Sequence, residues 1–175
     1  LSSNCITNID NLTELINLNR LSLSNNSIST LSKLITTLQQ LQFITLDCNS
    51  LTEFPSHLFL LPHLYEISIS RNRIIRMLQF PHNTSIGRLF LDRNNIVEIP
   101  RSIVNLHNLI FLGLGYNKIT TIPSGFENLQ QLAFLGLECN KIAEIPPSLF
   151  ESKSLITLNL TNNNISQLPE NVNPE

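Results

Sequence analysis

The side chains that could bind a metal or act as nucleophiles are four histidines and three cysteines. None of the histidines stands beside a cysteine or carboxylate at metal-ligand spacing, so solvated loop positions are expected for His57, His63, His82 and His107. Gly113 and Gly115 precede Lys118, but the full phosphate-loop pattern G-x-x-x-x-G-K-[ST] is absent, and so is G-x-S-x-G. The sequence therefore predicts no catalytic residue, no metal and no cofactor, and the protein is not expected to be an enzyme.

The leucines that surround these positions recur at a fixed period. Leu109, Leu112 and Leu114 are followed by Asn117 and Ile119, which gives the pattern L-x-x-L-x-L-x-x-N-x-L. Residues are counted here by their place in the repeat, so that Leu109 stands at place one and Asn117 at place nine. The same segment begins at residues 18, 41, 64, 86, 109, 132 and 155, after a partial repeat over 1–17. One domain over 1–175 is predicted.

This motif is that of the leucine-rich-repeat family, which the chain resembles over essentially its whole length. The resemblance implies an α/β fold, a leucine-rich-repeat solenoid shaped as a curved horseshoe. A parallel β-sheet would form the concave face, and short helices, 3-10 turns and loops the convex face. Because one repeat cannot bury its apolar residues alone, neighbouring repeats complete the core between them. The family's stacked asparagines, which bond the backbone at the turn, are similar to a row at place nine: Asn26, Asn49, Asn72, Asn94, Asn117, Asn140 and Asn163.

The convex side carries apolar residues at place fourteen, often followed by proline. The apolar spacing from Leu31 to Leu38 predicts a true helix there. The repeat that begins at Leu64 is one residue short and lacks the proline, so a loop is predicted over 78–85. The large aromatic residues of this side are expected to fill the core: Phe54, Phe59, Phe126 and Phe150.

Places three, five, seven and eight are predicted to project from the sheet in rows. Among them, aromatic residues surround Gly113, Gly115 and Gly136 and predict a hollow for a binding partner: Phe90, Phe111, Phe134 and Tyr116. The alternative is that the phenylalanines pack on each other. Beside them, charged residues form either a rim for a charged partner or pairs with each other: Arg71, Arg88, Arg93, Asp47, Asp92 and Glu138.

The compartment is judged from cysteines and glycosylation sequons. Cys48 and Cys139 stand four repeats apart, roughly 19 Å, too far for a disulfide, and Cys5 is also out of range. Free thiols favour a cytoplasmic location. Against this stand Asn-x-Ser/Thr sequons at Asn11, Asn25, Asn83, Asn159 and Asn164. With a net charge of −2, no basic stripe of the kind that a nucleic-acid backbone needs and no apolar membrane span, neither nucleic-acid binding nor membrane insertion is expected.

The repeat class, with 23 residues and Ile-Pro or Leu-Pro at places fourteen and fifteen, is similar to that of Ras-suppressor, Erbin-type and Roco proteins. This resemblance implies a non-catalytic scaffold for protein–protein interaction in intracellular signalling, with a partner such as a small GTPase, kinase or phosphatase. The alternatives are an extracellular recognition domain of receptor type and a structural spacer. Ends without a recognisable cap also allow self-association.

Overall fold

The strands of the protein are short and come one from each full repeat. The computed structural model describes residues 1–82 and 84–169. Its β-strands are β1 Arg20–Ser22, β2 Phe43–Thr45, β3 Glu66–Ser68, β4 Arg88–Phe90, β5 Phe111–Gly113, β6 Phe134–Gly136 and β7 Thr157–Asn159. Each strand covers places three to five of its repeat, so the leucine or isoleucine at place four lies in its middle and points into the core.

These strands form one parallel sheet in the order β1-β2-β3-β4-β5-β6-β7. The register pairs equal places throughout; for example, Phe111 lies beside Phe134 and Gly113 beside Gly136. The missing residue in the repeat that begins at Leu64 does not shift this register, because Glu66 still pairs with Arg88. The solenoid predicted from the repeats is confirmed, and equal places form continuous rows across the sheet.

The other side of each repeat returns through a short 3-10 helix or a loop. The helices are η1 Asp10–Glu14, η2 Lys33–Thr37, η3 Ser56–Leu60, η4 Arg101–Asn105, η5 Phe126–Asn128 and η6 Pro147–Glu151. Proline immediately precedes η3, η4 and η6, where its fixed φ suits the entry to a helix. None of these helices in the described chain has the length and apolar character needed to cross a bilayer.

The prediction of a helix of α type from Leu31 to Leu38 is wrong, because the segment forms only the short 3-10 helix η2. Ile35 N–H donates to Ser32 O at 3.2 Å, a bond of the 3-10 type. The Thr36 and Thr37 hydroxyls donate to the carbonyls three residues before them, at 2.9 and 2.8 Å. Such side-chain bonds compete with the longer-range bonds of an α-helix.

The loop expected at residues 78–85 contains no helix or strand where it is described; Asn83 lies outside the described residues. Phe80, which the sequence analysis overlooked, fills the core there and is 2% exposed. Its backbone N–H donates to Ser102 Oγ and its carbonyl accepts from Asn105 Nδ2, both at 2.9 Å. The ring lies 5.9 Å from Phe54 and 5.4 Å from Phe59, centroid to centroid. Phe80 thus fills the core of a repeat that has neither the proline nor, in its described residues, a 3-10 helix.

The other convex aromatic residues differ in burial. Phe54 and Phe126 are buried, and Phe59 packs half-buried against the core. Phe150 is 38% exposed, so the expectation that it fills the core is wrong. Because η6 covers the core with Leu149 instead, the next side chain points outward. Self-association through the end repeats stays a prediction.

Candidate functional site

The candidate site lies on the exposed rows of the sheet and is positioned by the buried row at place nine. Asn117 shows the arrangement: its Oδ1 accepts from Ile96 N–H at 3.0 Å, and its Nδ2 donates to Leu91 O and Leu114 O, both at 3.0 Å. Asn49, Asn72 and Asn140 make the same set of bonds. Each amide therefore joins its own repeat to the preceding one and fixes where the strand ends.

Place eight, immediately before each asparagine, lies in a turn and not in the strand. Its residues have left-handed backbone conformations, with φ of 56° at Arg71 and Arg93 and 57° at Tyr116. The same conformation occurs at place eight of every full repeat. The prediction that place eight projects from the face of the sheet is therefore wrong, because the chain has already turned away from the sheet there.

Phe90, Phe111 and Phe134 form a stack, called here the phenylalanine stack. The Phe90 and Phe111 ring centroids are 4.5 Å apart, and those of Phe111 and Phe134 are 4.3 Å apart with the planes inclined by 2°. These spacings are close to the distance between neighbouring strands. The rings pack on each other, as the alternative interpretation had it, yet each stays only half-buried. An apolar strip therefore remains on the concave face.

The hollow predicted over the glycines is wrong, because carboxylates occupy that space. A Cβ on Gly113 would lie 2.6 Å from Asp92 Oδ2, and one on Gly115 would lie 2.5 Å from Glu138 Oε1. Gly113, Gly115 and Gly136 are all buried. The missing side chains admit acidic groups from neighbouring repeats instead of leaving a depression.

Two of the three carboxylates of place seven accept hydrogen bonds from backbone N–H groups. Asp92 Oδ1 accepts from Gly115 N–H at 2.8 Å, and Asp47 Oδ1 accepts from Ser70 N–H at 2.7 Å. Glu138 Oε2 is buried without a hydrogen-bond partner in the described structure. Burial raises the pKa of Asp92, and the negative charge of Glu138 acts in the same direction, against the Gly115 hydrogen bond. The Asp92 and Glu138 carboxylates thus lie near each other in a partly dehydrated region beside the phenylalanine stack.

The arginines near these carboxylates do not pair with them. In the described chain the one ion pair is Arg88 with Glu66, N to O 3.2 Å. The Arg88 guanidinium also lies 5.1 Å from the Phe90 ring centroid, and that of Arg93 lies 4.0 Å from the Tyr116 centroid. The interpretation in which Arg71 and Arg93 are neutralised by neighbouring acids is therefore wrong.

The structure brings together most of the predicted partner-binding residues. The phenylalanine stack, Arg88, Asp92 and Glu138 lie around β4, β5 and β6, whereas Arg71, Arg93 and Tyr116 line the turn beside them. Sequence reasoning overlooked place ten, which carries Arg73, Lys118 and Lys141, all exposed. The regular two-residue step from place eight to place ten was the available signal.

The histidines and cysteines, which could bind a metal or act as nucleophiles, do not form such a site in the described residues. Nowhere in residues 1–82 and 84–169 do three or more His, Cys, Asp or Glu side chains assemble as metal ligands. The three cysteines are free thiols. His63, His82 and His107 are exposed, but His57 is half-buried, so its expected solvation is wrong. Burial lowers the pKa of His57, and the charge of Lys33 acts in the same direction.

Two solved structures are similar to this chain. A leucine-rich-repeat protein of Leptospira interrogans is 28% identical with a TM-score of 0.70, and the match covers 94% of this chain and 48% of that one. A chain of the Drosophila Toll–Spatzle complex, described as a molecular hub in development and innate immunity, is 27% identical with a TM-score of 0.81. That match covers 91% of this chain and 22% of the other. The protein thus spans less than half the length of either.

A family model described as leucine rich repeat matches residues 84–142 and 130–172, together more than half of the chain. Domains of this kind are in general non-enzymatic and bind protein partners. The repeats, the asparagine row and the parallel sheet agree with this match. The chain belongs to the leucine-rich-repeat family.

Proposed function

We propose that the protein is a non-catalytic interaction module that binds a protein or peptide on its concave sheet, centred on the phenylalanine stack. The observation that supports this is three adjacent rings held in register by β4, β5 and β6 and left half-exposed. Aromatic residues held in this way are frequent among the residues that contribute most to binding energy. The neighbouring Arg88, Asp92 and Glu138 provide polar contacts around the apolar strip.

The context that we propose is intracellular signalling, with a partner such as a small GTPase, a kinase or a phosphatase. This rests on the likeness of the 23-residue repeats to those of Ras-suppressor, Erbin-type and Roco proteins. The free thiols of Cys5, Cys48 and Cys139 support a reducing compartment such as the cytoplasm.

The test compares Phe111→Ala combined with Phe134→Ala against the wild type in a pull-down from cells of the source organism, with captured proteins quantified by mass spectrometry. A specific partner should be lost by about 30-fold or more, the effect of removing about 2 kcal/mol of binding energy. The melting temperature should fall only modestly, by several degrees, because the rings are half-buried and the two ring contacts that are lost contribute about 2 kcal/mol beyond their buried area.

The matched control is Leu60→Ala combined with Phe150→Ala. These side chains are 70% and 38% exposed and lie in η3 and η6, on the opposite side of the solenoid. The control removes exposed apolar surface without touching the sheet, so it should retain the partner. Equal capture by all three proteins would overturn the proposal that the concave sheet is the binding face.

A second candidate is an extracellular recognition domain of receptor type. It is favoured by the likeness to a chain of the Toll–Spatzle complex and by sequons whose asparagines are exposed, at Asn11, Asn25 and Asn164. Digestion with an N-glycosidase of the protein isolated from its own organism distinguishes the two. A loss of mass at these asparagines would favour the receptor candidate, and an unchanged mass would favour the cytoplasmic one.

A further inference from the structure

Positive charge is concentrated along one edge of the sheet, where the strands have just ended. Places eight and ten carry five of the 11 lysines and arginines and no aspartate or glutamate in any repeat. All five side chains are exposed. These residues, called here the cationic edge, are Arg71, Arg73, Arg93, Lys118 and Lys141.

The backbone holds these residues in two regular rows on either side of the buried asparagines. At place ten, the N–H groups of Arg73, Lys118 and Lys141 each donate to a carbonyl of the preceding repeat at 2.8 Å. At place eight, Arg71 N–H donates to Asp92 O and Arg93 N–H to Gly115 O, also at 2.8 Å. The cationic edge therefore extends over four neighbouring repeats, at about one strand spacing per repeat.

The nearest acidic row does not neutralise this edge. The Asp47 and Asp92 carboxylates of place seven accept bonds from backbone N–H groups, and Glu138 lies over Gly115. Within the described residues, no member of the cationic edge makes an ion pair. Asp47 and Asp92 thus bond the backbone, and the cations next to them make no ion pair with them.

One member of the edge is held in place by an aromatic ring. The Arg93 guanidinium lies 4.0 Å from the centroid of Tyr116, the next residue of the same row. A guanidinium that stacks by its flat face keeps its N–H groups directed outward from its rim, where they can bind a carboxylate with two hydrogen bonds. Tyr116 is itself 45% exposed, so the pair is open to solvent.

We propose that the cationic edge binds an extended acidic segment, rich in aspartate or glutamate, of the protein partner. This rests on the proposed function, since it extends the same partner's contact from the concave face onto the adjoining turns. Three repeat spacings give the edge a length of roughly 14 Å, and an extended chain rises about 3.3 Å per residue. About five residues of such a segment would therefore span the edge.

Charge complementarity favours an acidic peptide over a nucleic acid. The edge is a narrow band, bordered on its sheet side by Asp47, Asp92 and Glu138, in a protein of net charge −2. A phosphate backbone needs a broad positive surface that meets many phosphates at once. A single extended acidic peptide therefore fits this narrow band better than a nucleic acid does.

The experiment measures binding of fluorescein-labelled hexaglutamate by fluorescence anisotropy, first at low ionic strength and then at about 0.15 M salt. Arg71→Gln combined with Arg93→Gln should weaken binding about tenfold or more, because it removes the two guanidinium groups of place eight. The matched control is Lys33→Gln combined with Lys153→Gln, an equal change of charge at exposed convex positions. It should change the affinity less than about twofold, as expected for distant screened charges.

The outcomes separate this inference from the proposed function. Phe111→Ala combined with Phe134→Ala should still bind hexaglutamate, whatever it does to partner capture, because the phenylalanine stack is not part of the cationic edge. No binding by the wild type, binding of labelled hexaglutamine with equal affinity, or equal loss in the edge and convex variants would overturn the inference. Tighter binding of a single-stranded hexanucleotide than of hexaglutamate would overturn it in favour of a nucleic acid.

Discussion

Place nine holds asparagine in all seven full repeats, whereas place three, in the same repeats, holds arginine, phenylalanine, glutamate and threonine. The two rows differ in their surroundings. The amide at place nine contacts backbone groups, which are the same in every repeat, so one residue type suits every position. Place three is open on its outer side, so contacts with the backbone do not fix its residue type. Uniform rows thus maintain the fold, and varied rows are those whose residue types the fold leaves open.

The largest effect is expected from a substitution that breaks the asparagine row near its centre. Asn117→Ala removes the acceptor of Ile96 N–H and the donor to Leu91 O and Leu114 O. Because these groups are buried, the free energy of unfolding should fall by about 3 kcal/mol or more. The measurement is the denaturation midpoint followed by circular dichroism.

The control for this change is Asn163→Ala, which lies in the last full repeat and is only partly buried. Its amide makes bonds of the same kind, to Ile142 N–H, Leu137 O and Leu160 O. Because Asn163 itself is partly exposed, water can replace some of its bonds after the change, and the loss should be about 1 kcal/mol. Equal losses at the two positions would contradict the view that burial of the asparagine row gives it its effect.

The distinction between uniform and varied rows also explains how far the sequence predicts the molecule. The repeat period alone locates each strand, because Leu112 and its equivalents must point inward and Asn117 and its equivalents must satisfy the turn. This information is local and repeated, so a single sequence contains it seven times.

The site is less predictable because it depends on contacts between repeats. The residues adjacent in sequence do not show that the Asp92 carboxylate lies over Gly113. They also do not show that Phe80 fills the core of the repeat that lacks the proline. The expected hollow failed for this reason: a glycine indicates space but not which neighbour occupies it. The place-ten cations are hard to predict because the repeat pattern does not show that the chain turns at place eight and exposes place ten.

A smaller effect is expected where the varied row at place five meets the carboxylates. Gly113→Ala would bring a Cβ to 2.6 Å from Asp92 Oδ2. The carboxylate must move and weaken its bond from Gly115 N–H, so the free energy of unfolding should fall by about 1 kcal/mol. Denaturant titration measures this loss.

The cause of that loss can be isolated with a double-mutant cycle. In an Asp92→Ala background the carboxylate is gone, and Gly113→Ala should then cost little. The double variant should therefore be about 1 kcal/mol more stable than the sum of the two single losses predicts. Additive losses would show that the alanine disturbs the backbone of β5 and not the Asp92 side chain.

The smallest expected effect concerns the charge of Asp92. Its pKa is raised chiefly by burial, so the folded state binds a proton more tightly than the unfolded state. The stability from this group is therefore fully present below the unfolded pKa, about 3.9, and is lost as the pH rises through the folded value. Asp92→Asn keeps an oxygen for Gly115 N–H but cannot ionise. Relative to the wild type, this variant should gain stability as the pH rises through that interval.

Glu138→Gln sharpens this last comparison, because the charge of Glu138 also raises the pKa of Asp92. Removing that charge should lower the pKa of Asp92 and shift the loss of wild-type stability toward lower pH. Carboxyl NMR titration of Asp92, together with denaturation midpoints across the acid range, measures both quantities. An unchanged titration of Asp92 would mean that the two carboxylates do not interact, and that place seven consists of independent acceptors for the backbone.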